Sequence, residues 1–271
     1  MPELPEVETV LRTLETQIKD RKIIDIKVFY SPIVEDEHHF KSSLINQHFK
    51  EFIRRGKFLI FKMDDVAFYS HLRMEGKYYL LTDKDPIDKH THVIFYLDNG
   101  IELRYHDVRK FGRMGLIPYK DNYDQFKNLG PEPFSDSFND IYIKDYLKNI
   151  KKPIKEVLLD QSFVAGIGNI YADEILWAIR VNPNRAANKL RKHEIAELIV
   201  QTRIILNNAI KAGGTTIRSY TSSLGVTGRF QLSLNCHTKT VCGRCNNEIK
   251  KIRIGGRGTY YCPKCQKWNM R

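Results

Sequence analysis

The chain has 271 residues, 42% of them hydrophobic, and a formal net charge of +12 at pH 7. No apolar run approaches the roughly 18 residues that cross a bilayer, and the acidic first residues lack a secretory apolar region, which excludes a membrane protein and favours a cytoplasmic one. The length allows one large or two ordinary domains, and the positive charge favours a polyanionic partner, with nucleic acid as the leading candidate.

The N-terminal half is predicted to form one helix followed by a series of strands. Apolar residues recur at helical spacing between Glu3 and Asp20, which predicts an amphipathic helix. Short apolar or alternating segments predict strands at residues 24–30, 58–63, 66–72, 77–81, 93–97 and 101–105. Turn signals separate them, and Asp98-Asn99-Gly100 is a strong hairpin signal. This density of strands predicts a β-sandwich, or a similar two-layer β domain, up to about residue 118.

The pattern changes near Gly130-Pro131-Glu132-Pro133, which is typical of a linker. Helical periodicity then predicts helices at residues 141–150, 154–160, 170–179 and about 189–211. A polar loop begins at Gly213 and continues to about Gly228, and the last segment is a cysteine-rich hairpin. A strand-rich first half and a helical second half predict an α+β protein.

Four of the five cysteines have the spacing of a zinc ribbon, Cys242-x2-Cys245-x16-Cys262-x2-Cys265. Two such turns can arrange four thiolates as a tetrahedron around Zn²⁺. The pattern offers no histidine, aspartate or water position, so we expect one closed, structural zinc ion, with a redox dithiol as the alternative. Cys236 lies outside the pattern and is expected to be a small structural residue or a spare thiol.

Two segments have features of phosphate-binding sites. Basic residues between the two cysteine pairs include Arg257, and a metal-stapled hairpin of this charge is suited to phosphate; a solvated basic face is the alternative. Gly166-Ile167-Gly168-Asn169 precedes a predicted helix, where backbone N–H groups and the positive helix end favour an anion. A simple tight turn is the ordinary interpretation of that second segment.

Pro2 follows the initiator Met1, and a small second residue such as proline allows that methionine to be removed. The free secondary amine would titrate near pKa ~8, so an appreciable fraction is the neutral nucleophile at neutral pH. Attack on an aldehyde-like carbon would form an iminium cation, which is an electron sink for elimination. Glu3 and Glu6 place two carboxylates within one helical turn of the amine, as candidate general acid–base groups. Alternatively, the first residues only stiffen a helix start and complement its dipole.

Other candidate residues are less specific when taken singly. Lys57 ends a basic turn before a predicted strand and is a phosphate contact, a catalytic lysine or an ordinary surface lysine. Arg109 and Phe111 combine a cation with an aromatic ring in a predicted loop, and such residues can fill the gap left by an extruded base. Met74 is more often a core residue when judged alone.

Motifs distributed along the whole chain share their order with one known family. They are MPELPEVETV at the start, RRGKFLIF at Arg54, HLRMEGKY at His71, HDVRKFGRM at His106, LLDQ at Leu158, AGIGNIYADEILW at Ala165, GGTTIRSY at Gly213 and GGRGTYYCPKCQ from Gly255. The chain thereby resembles the bacterial formamidopyrimidine-DNA glycosylase family, base-excision enzymes that remove oxidised purines such as 8-oxoguanine. Several motifs are individually specific, and their shared order makes coincidence implausible.

The resemblance implies an α+β fold with three parts. These are an N-terminal β-sandwich with a leading helix at residues 1–130, a helical helix-two-turn-helix domain at 131–234, and a zinc-finger β-hairpin at 235–271. The implied activity is that of a bifunctional DNA glycosylase and apurinic/apyrimidinic lyase with one structural Zn²⁺. Its implied partner is double-stranded DNA containing oxidised bases or abasic sites, without membrane association. A cytoplasmic, nucleoid-associated monomer is expected.

Carried over residue by residue, the resemblance implies that Pro2 attacks the anomeric carbon of a flipped nucleotide while Glu3 protonates the sugar ring oxygen. The base departs, and successive β- and δ-eliminations cut the strand on both sides of the lesion. Lys57, Asn169 and Arg257 match residues that hold phosphates, and Lys57 and Arg257 are counted with the catalytic group. The implied DNA-binding set is Glu6, His71, Met74, Arg109, Phe111, Asn169, Arg218 and Tyr220. Among these, Met74, Arg109 and Phe111 match the residues that fill the void.

Two alternative functions remain open from the sequence. One is an endonuclease VIII-like glycosylase for oxidised pyrimidines. The purine enzyme is favoured over it by Leu4, by the loop beginning at Gly213, and by the separated residues Met74, Arg109 and Phe111. The other is a non-catalytic zinc-ribbon protein that binds nucleic acid. Residues 235–239 read Asn-Cys-His-Thr-Lys where the family usually has a Tyr-Gly-Arg-like turn. This departure weakens any DNA contact carried over to that stretch, but not the zinc site.

Overall fold

The computed structural model describes residues 1–117, 124–215 and 229–268. The chain divides into two compact units, which are described separately. The N-terminal unit contains Met1–Phe126 and Ala212–Arg229, and the C-terminal unit contains Lys127–Lys211 and Phe230–Arg271. None of the five cysteines forms a disulfide. Among the described residues, no helix combines the length and the apolar character that a membrane crossing requires.

The N-terminal unit is built on two antiparallel four-stranded sheets. Strands of the first sheet, in spatial order, are β1 (Ile23–Val28), β6 (Thr91–Leu97), β7 (Glu102–His106) and β5 (Lys77–Leu81). Strands of the second sheet, in spatial order, are β2 (Glu51–Arg55), β3 (Phe58–Lys62), β4 (Ala67–His71) and β8 (Arg113–Ile117). Their inner faces share one core, in which Phe68 stacks on Phe95 with ring centroids 5.7 Å apart. The predicted β-sandwich is therefore confirmed.

Helix α1 (Leu4–Ile18) precedes the strands and packs against β2 and β3. Its apolar residues recur at helical spacing, and Val7, Leu11, Leu14 and Ile18 are at most 1% exposed. Burial of this face stabilises the helix and fixes the position of the first residues of the chain. Terminal residues without such contacts are usually poorly ordered.

Two strands and one helix of this unit were not predicted from the sequence. Strand β2 carries three charged residues and only one fully buried apolar side chain, so its alternation is weak. Helix α2 (Glu37–Leu44) buries only Phe40 and Leu44. Strand β8 contains Gly115, where an added Cβ would lie 2.4 Å from a Glu35 carboxylate oxygen. Glycine is required by that close approach, and it removes a side chain from the pattern.

The C-terminal unit contains four helices and one β-hairpin among its described residues. The helices are α3 (Asp140–Leu147), α4 (Ile154–Leu159), α5 (Asn169–Ala178) and α6 (Lys192–Lys211), and the hairpin is β9 (Lys250–Ile254) with β10 (Arg257–Tyr261). Helix α5 packs against α4, α6 and β10 and is buried along most of its length. The predicted helices and strands agree with the observed ones to within three residues at each end. Helix α5 is thus the centre of this unit.

Arg104→Leu tests how much a buried ion pair contributes to the stability of the N-terminal unit. The Arg104 guanidinium is 1% exposed, lies 2.6 Å from the Glu102 carboxylate and donates to the carbonyl groups of Thr82, Asp85 and Pro86. Since the substitution leaves the Glu102 charge buried without its partner, we expect the free energy of unfolding to fall by about 3–5 kcal/mol. Urea denaturation followed by circular dichroism measures this.

Arg12→Leu is the matched control, because Arg12 also bridges two carboxylates but its side chain is 54% exposed. The expected loss is below about 1 kcal/mol, as water already solvates both partners. Equal losses in the two variants would show that burial of the Arg104 pair has no special effect.

Candidate active site and zinc centre

The start of α1 brings Pro2, Glu3 and Glu6 together. Pro2 is buried, and Glu3, the residue that caps α1, is 2% exposed. One carboxylate oxygen of Glu6 accepts a hydrogen bond from the Glu3 backbone N–H at 2.9 Å, in the arrangement of a capping box. The first turn is therefore held by its own side chains, and the two carboxylates adjoin Pro2.

Glu6 also connects this turn to the segment that begins at Gly213. Its other carboxylate oxygen accepts hydrogen bonds from the Thr215 backbone N–H at 2.8 Å and the Thr215 hydroxyl at 3.0 Å. Gly214 has φ +77°, and an added Cβ would lie 2.9 Å from that oxygen. Glu6 is only 4% exposed, so its carboxylate needs hydrogen-bond donors from the protein, and both of its oxygens have them.

The electrostatic environment of the chain terminus involves the same residues. Burial lowers the pKa of the Met1 amino group below its ordinary value, and the Lys57 charge adds to the lowering, while the carboxylates of Glu3, Glu6 and Glu75 act in the opposite direction. A buried amine with a lowered pKa has a larger neutral, nucleophilic fraction. The terminus, both predicted carboxylates and Lys57 are thus electrostatically coupled.

Lys57 lies in the tight turn between β2 and β3 and is 7% exposed. The turn is shaped by Gly56, with φ +56°, and by Arg54, which donates to the Gly56 carbonyl at 3.1 Å and to Glu8 on α1 at 2.8 Å. A surface lysine was one interpretation of the sequence, and the burial of Lys57 contradicts it. Lysine is rarely buried unless its charge is paired.

His71 ends β4 beside this turn, with its ring centroid 4.5 Å from that of Phe58. Its Nδ1 accepts a hydrogen bond from the Arg73 backbone N–H at 2.9 Å, so the imidazole is neutral at that nitrogen. Burial, with the positive charges of Arg73 and Lys57, lowers the pKa of His71 to about 3. Met74 lies in the next turn, which follows β4, and is half-buried.

Asp107 organises the loop that carries Arg109 and Phe111. Its fully buried carboxylate accepts hydrogen bonds from the backbone N–H groups of Arg109 at 3.0 Å and Gly112 at 2.8 Å. The Arg109 guanidinium lies 4.7 Å from the centroid of the Phe111 ring, which is 46% exposed. The predicted pair, Arg109 and Phe111, therefore lies on the surface of a loop whose backbone is held by hydrogen bonds to the buried Asp107.

In the C-terminal unit, Gln161 fixes the glycine-containing turn before α5. Its side-chain amide accepts from the Gly166 N–H at 2.9 Å and donates to the Ile167 carbonyl at 2.8 Å. Gly166 has φ +94°, which favours glycine. The turn presents Asn169 as the first residue of α5, at the positive end of the helix.

Asn169 and Arg257 are brought together by the hairpin. The Asn169 side-chain amide donates to the Gly258 carbonyl at 3.0 Å, and the exposed Arg257 directly precedes Gly258 at the start of β10. A side-chain amide has a second N–H. Arg257 is thus the sequence neighbour of the residue that Asn169 contacts, and a guanidinium and an amide N–H are both groups that can donate to a phosphate.

The four cysteine sulfurs lie within 4.8 Å of one another. The sulfurs of Cys242 and Cys265 are 3.9 Å apart, and those of Cys245 and Cys262 are 3.5 Å apart. A tetrahedral site with Zn–S bonds of about 2.3 Å requires sulfurs about 3.8 Å apart, which is close to both of these separations, so the cluster fits Zn²⁺. The cysteine ligands and their spacing define one closed, structural zinc site.

Ionisation of the thiols also fits a dication. Burial raises the pKa of Cys242, but hydrogen bonds from the Trp177 indole and from the backbone N–H groups of Arg244 and Cys245 outweigh it and lower the pKa to about 6. Burial and hydrogen bonds with the other thiols raise the pKa of Cys265 to about 12. Binding of a dication therefore releases protons from the thiols that are still protonated.

A second cluster of buried charges was missed by the sequence reasoning. Lys155 on α4 pairs with Asp173 on α5, both at most 1% exposed, and His237 Nδ1 lies 2.6 Å from the second Asp173 oxygen. Glu174 accepts hydrogen bonds from the three consecutive backbone N–H groups of residues 235–237, at 2.7 to 2.9 Å. The stretch that departs from the family pattern is therefore anchored on α5. The acidic pair Asp173-Glu174 in YADE was the available signal.

Of the predicted site residues, Arg218 and Tyr220 lie outside the described residues. The others fall into two groups. The N-terminal unit contains Pro2, Glu3, Glu6, Lys57, His71, Met74, Arg109 and Phe111. The C-terminal unit contains Asn169, Arg257 and the four zinc cysteines.

Three family models match successive parts of the chain. Residues 1–114 match the formamidopyrimidine-DNA glycosylase N-terminal domain, residues 129–221 match the formamidopyrimidine-DNA glycosylase H2TH domain, and residues 241–267 match a zinc finger found in FPG and IleRS. The helix-two-turn-helix assignment and the zinc finger are thereby confirmed. Together the matches define the class as a zinc-containing DNA glycosylase fold.

Individual relatives are similar along the whole chain. Formamidopyrimidine-DNA glycosylase of Ligilactobacillus salivarius is 47% identical, covering 98% of this chain and 99% of its own length. The Enterococcus faecalis enzyme is 46% identical, covering 100% and 99%. Among solved structures, Lactococcus lactis Fpg in complex with abasic-site DNA has a TM-score of 0.92 at 44% identity, covering 98% of this chain and 100% of its own. The chain belongs to the formamidopyrimidine-DNA glycosylase family.

His71→Gln is predicted to change the dependence of stability on pH. The folded-state pKa of His71, about 3, is below the ordinary value of 6.5, so between these values the unfolded chain binds a proton that the folded chain does not. Stability from this group is present above pH 6.5 and is lost as the pH falls toward 3. Between pH 7 and 5 the wild type should lose about 2 kcal/mol more than the variant, in urea denaturation at each pH.

His38→Gln is the control for this measurement, since His38 is exposed. It should follow the wild-type curve. Parallel curves for His71→Gln and the wild type would mean that His71 takes up its proton equally well in the folded protein.

Proposed function

We propose that this protein is a base-excision repair enzyme, a bifunctional DNA glycosylase and apurinic/apyrimidinic lyase that removes oxidised purines from double-stranded DNA. The observation that carries the proposal is the buried Pro2–Glu3 pair at the start of α1, in a chain that belongs to the formamidopyrimidine-DNA glycosylase family. A Lactococcus lactis Fpg variant has been solved with Fapy-dG-containing DNA at a TM-score of 0.93. Both the lesion and the abasic product are therefore ligands of close relatives.

Chemistry begins at Pro2 once Met1 is removed. The Pro2 nitrogen attacks C1′ of the extruded nucleotide, the bond from C1′ to the base breaks, and the base leaves with its bonding electrons and a proton. Glu3 protonates the ring oxygen, so the sugar opens and a C1′ iminium remains. Loss of a C2′ proton then expels the 3′ phosphate, and a second elimination expels the 5′ phosphate. Hydrolysis of the iminium restores the amine.

Glu6 acts as a support for this centre. Its two oxygens already accept hydrogen bonds from Glu3 and Thr215, so it holds the cap of α1 in position and leaves proton transfer to Glu3. The buried Lys57 contributes positive charge at the chain terminus, where it helps to lower the pKa of the Met1 amino group. Positive charge lowers the pKa of a neighbouring amine and also attracts a phosphate.

Phosphate binding is assigned to Lys57 and His71 of the N-terminal unit and to Asn169 and Arg257 of the C-terminal unit. Arg257 and Asn169 are adjacent through the hydrogen bond of Asn169 to Gly258. His71 is neutral, so it contributes as a hydrogen-bond donor through Nε2 and adds no charge. The counterion release that accompanies such contacts makes binding dependent on salt.

Void filling is assigned to Met74, Arg109 and Phe111. A base that leaves the stack exposes apolar surface and an unpaired partner base. The exposed Phe111 ring offers a stacking surface, and Arg109 offers hydrogen-bond donors, on a backbone fixed by Asp107. The net charge of +12 and the basic zinc hairpin supply the long-range attraction for DNA. Arg218 and Tyr220 are also proposed to bind DNA, on the resemblance of their motif to that of the family alone.

We further propose that the enzyme acts as a monomer in the cytoplasm, associated with the nucleoid through DNA. We also propose that the chain forms three domains, at residues 1–130, 131–234 and 235–271. Limited proteolysis with mass spectrometry would locate such boundaries.

Borohydride trapping tests the Pro2 chemistry. With a duplex containing 8-oxoguanine opposite cytosine, reduction should convert the iminium into a permanent protein–DNA crosslink, and mass spectrometry of the active protein should show Met1 removed. Pro2→Gly, or one extra residue before Pro2, should abolish the crosslink. Pro5→Ala is the matched control, since Pro5 is also buried in the first turn, and it should still crosslink. Active protein that retains Met1 would end the proposal.

Glu3→Gln separates acid–base chemistry from binding. Because glutamine cannot donate a proton to the ring oxygen, base excision in single-turnover assays should fall by about 10²-fold or more, while DNA affinity stays close to that of the wild type. Excision at a normal rate in this variant would remove Glu3 from its role.

Cleavage rates decide between the proposal and its alternatives. Binding alone does not, because Lactococcus lactis FPG has been solved with DNA containing an oxidised pyrimidine. Duplexes carrying 8-oxoguanine or an oxidised pyrimidine should be compared at saturating enzyme, and faster excision of the purine is expected. Faster excision of the pyrimidine would favour the endonuclease VIII-like alternative, and no crosslink with any lesion would favour a non-catalytic binding protein.

A further inference from the structure

One face of α5 follows the zinc ribbon for just over two helical turns. Asn169, Asp173 and Trp177 are spaced four residues apart, so they project from the same face of the helix. Each is hydrogen-bonded to the ribbon: Asn169 donates to the Gly258 carbonyl at 3.0 Å, Asp173 accepts from the Tyr260 N–H at 3.2 Å, and Trp177 donates to Cys242 Sγ at 3.2 Å. The last contact differs from the others because it reaches a zinc ligand.

The Trp177 indole is a donor only, and its partner is a sulfur that becomes a thiolate when zinc is bound. A hydrogen bond to a metal-bound thiolate withdraws electron density from sulfur and orients the ligand. Cys242 is fully buried, and Trp177 packs against the small core that contains Cys236, Cys242 and Cys262. This low-dielectric setting strengthens the interaction.

Arg244 holds the indole in place. It lies between the ligands Cys242 and Cys245, and its guanidinium stacks 4.1 Å from the centroid of the Trp177 ring. The same guanidinium donates to the carbonyl oxygens of Trp177 at 3.1 Å and Ala178 at 3.2 Å. It therefore caps the C-terminal end of α5, where a positive charge is favoured. The zinc-binding turn and the C-terminal end of α5 are therefore joined by hydrogen bonds in both directions.

We infer that Trp177 is a positioning residue for the zinc centre, through its N–H···S bond to Cys242. The bond sets the register of the ribbon along α5. This register brings the ribbon segment that contains Arg257 and Gly258 to Asn169, just over two helical turns from Trp177. The part that concerns the zinc centre is independent of the proposed function. The consequence for Arg257 rests on the proposed function, because it is measured as DNA binding.

Ordinary packing of a large aromatic ring is the competing explanation, and Trp177→Phe separates the two. Phenylalanine keeps a ring for the small core and for Arg244 but removes the N–H. Trp268→Phe is the matched control, because it removes the chain's other tryptophan, which is 51% exposed.

The experiment measures the metal centre of the full-length proteins directly. Zinc transfer to a chromophoric chelator should be about tenfold faster in Trp177→Phe than in the wild type, as expected for loss of a hydrogen bond to a ligand. In Co²⁺-substituted protein, the sulfur-to-cobalt charge-transfer band should move to longer wavelength, because the thiolate loses its donor. Trp268→Phe should match the wild type in both measurements. Wild-type release and an unshifted band in Trp177→Phe would overturn the inference.

The cobalt spectrum also reports folding, because tetrahedral Co²⁺ gives intense ligand-field bands only in an assembled four-cysteine site. If Trp177→Phe fails to assemble the site, Arg244→Gln replaces it, since loss of the guanidinium frees the indole to turn away from Cys242. Faster zinc release with a red-shifted band is again the expected result. An unchanged centre in Arg244→Gln would contradict the inference.

Coupling to Arg257 is tested with a duplex containing a tetrahydrofuran abasic-site analogue. Arg257→Ala should raise Kd by a larger factor in the wild-type background than in Trp177→Phe, because the guanidinium is already misplaced in the latter. Equal factors in the two backgrounds would overturn the link to Arg257. If the proposed function is wrong, Arg257→Ala should leave Kd unchanged in both backgrounds, and the results for the metal centre should be unaffected.

Discussion

The arrangement of the N-terminal unit depends on one buried carboxylate. Glu6 accepts hydrogen bonds from the Glu3 backbone and from two groups of Thr215, and at 4% exposure it has little access to water that could replace them. Burying a charge without such donors costs several kcal/mol, so the donors and the carboxylate are fixed together. The apolar face of α1 holds the same turn against β2 and β3. A chain end, which is ordinarily mobile, is thereby held in one position.

Helix α5 has the corresponding role in the C-terminal unit. Its acidic residues are buried, and each is compensated: Asp173 by Lys155 and His237, and Glu174 by three backbone N–H groups. The same helix begins at the glycine turn held by Gln161 and ends beside the zinc ligands. The residues proposed to bind phosphate and the metal site are consequently arranged along one helix. Sites supported in this way lose little entropy when a ligand binds.

Much of this architecture could be predicted because it depends on local patterns. The helices and strands with strong periodicity were located, and the cysteine quartet predicted the zinc ribbon, since four thiolates on two short turns have few other arrangements. Strands β2 and β8 were missed because charged residues and Gly115 interrupt their alternation. Lys155 was missed because its partner Asp173 is 18 residues away, and nothing local distinguishes a buried lysine from an exposed one.

The sequence by itself determined the local chemistry: a proline beside two glutamates, a basic hairpin with four thiols, and a helix opened by glycines. Each depends on residues within one turn or one hairpin, where spacing fixes proximity. Only the tertiary structure decided that Lys57 is buried and that Thr215 completes the environment of Glu6 from 209 residues away. Likewise, Glu174 anchors a stretch about 60 residues further along the chain. Such contacts arise when sheets and helices pack, because burial makes a charged group require partners that its own neighbours in sequence do not supply.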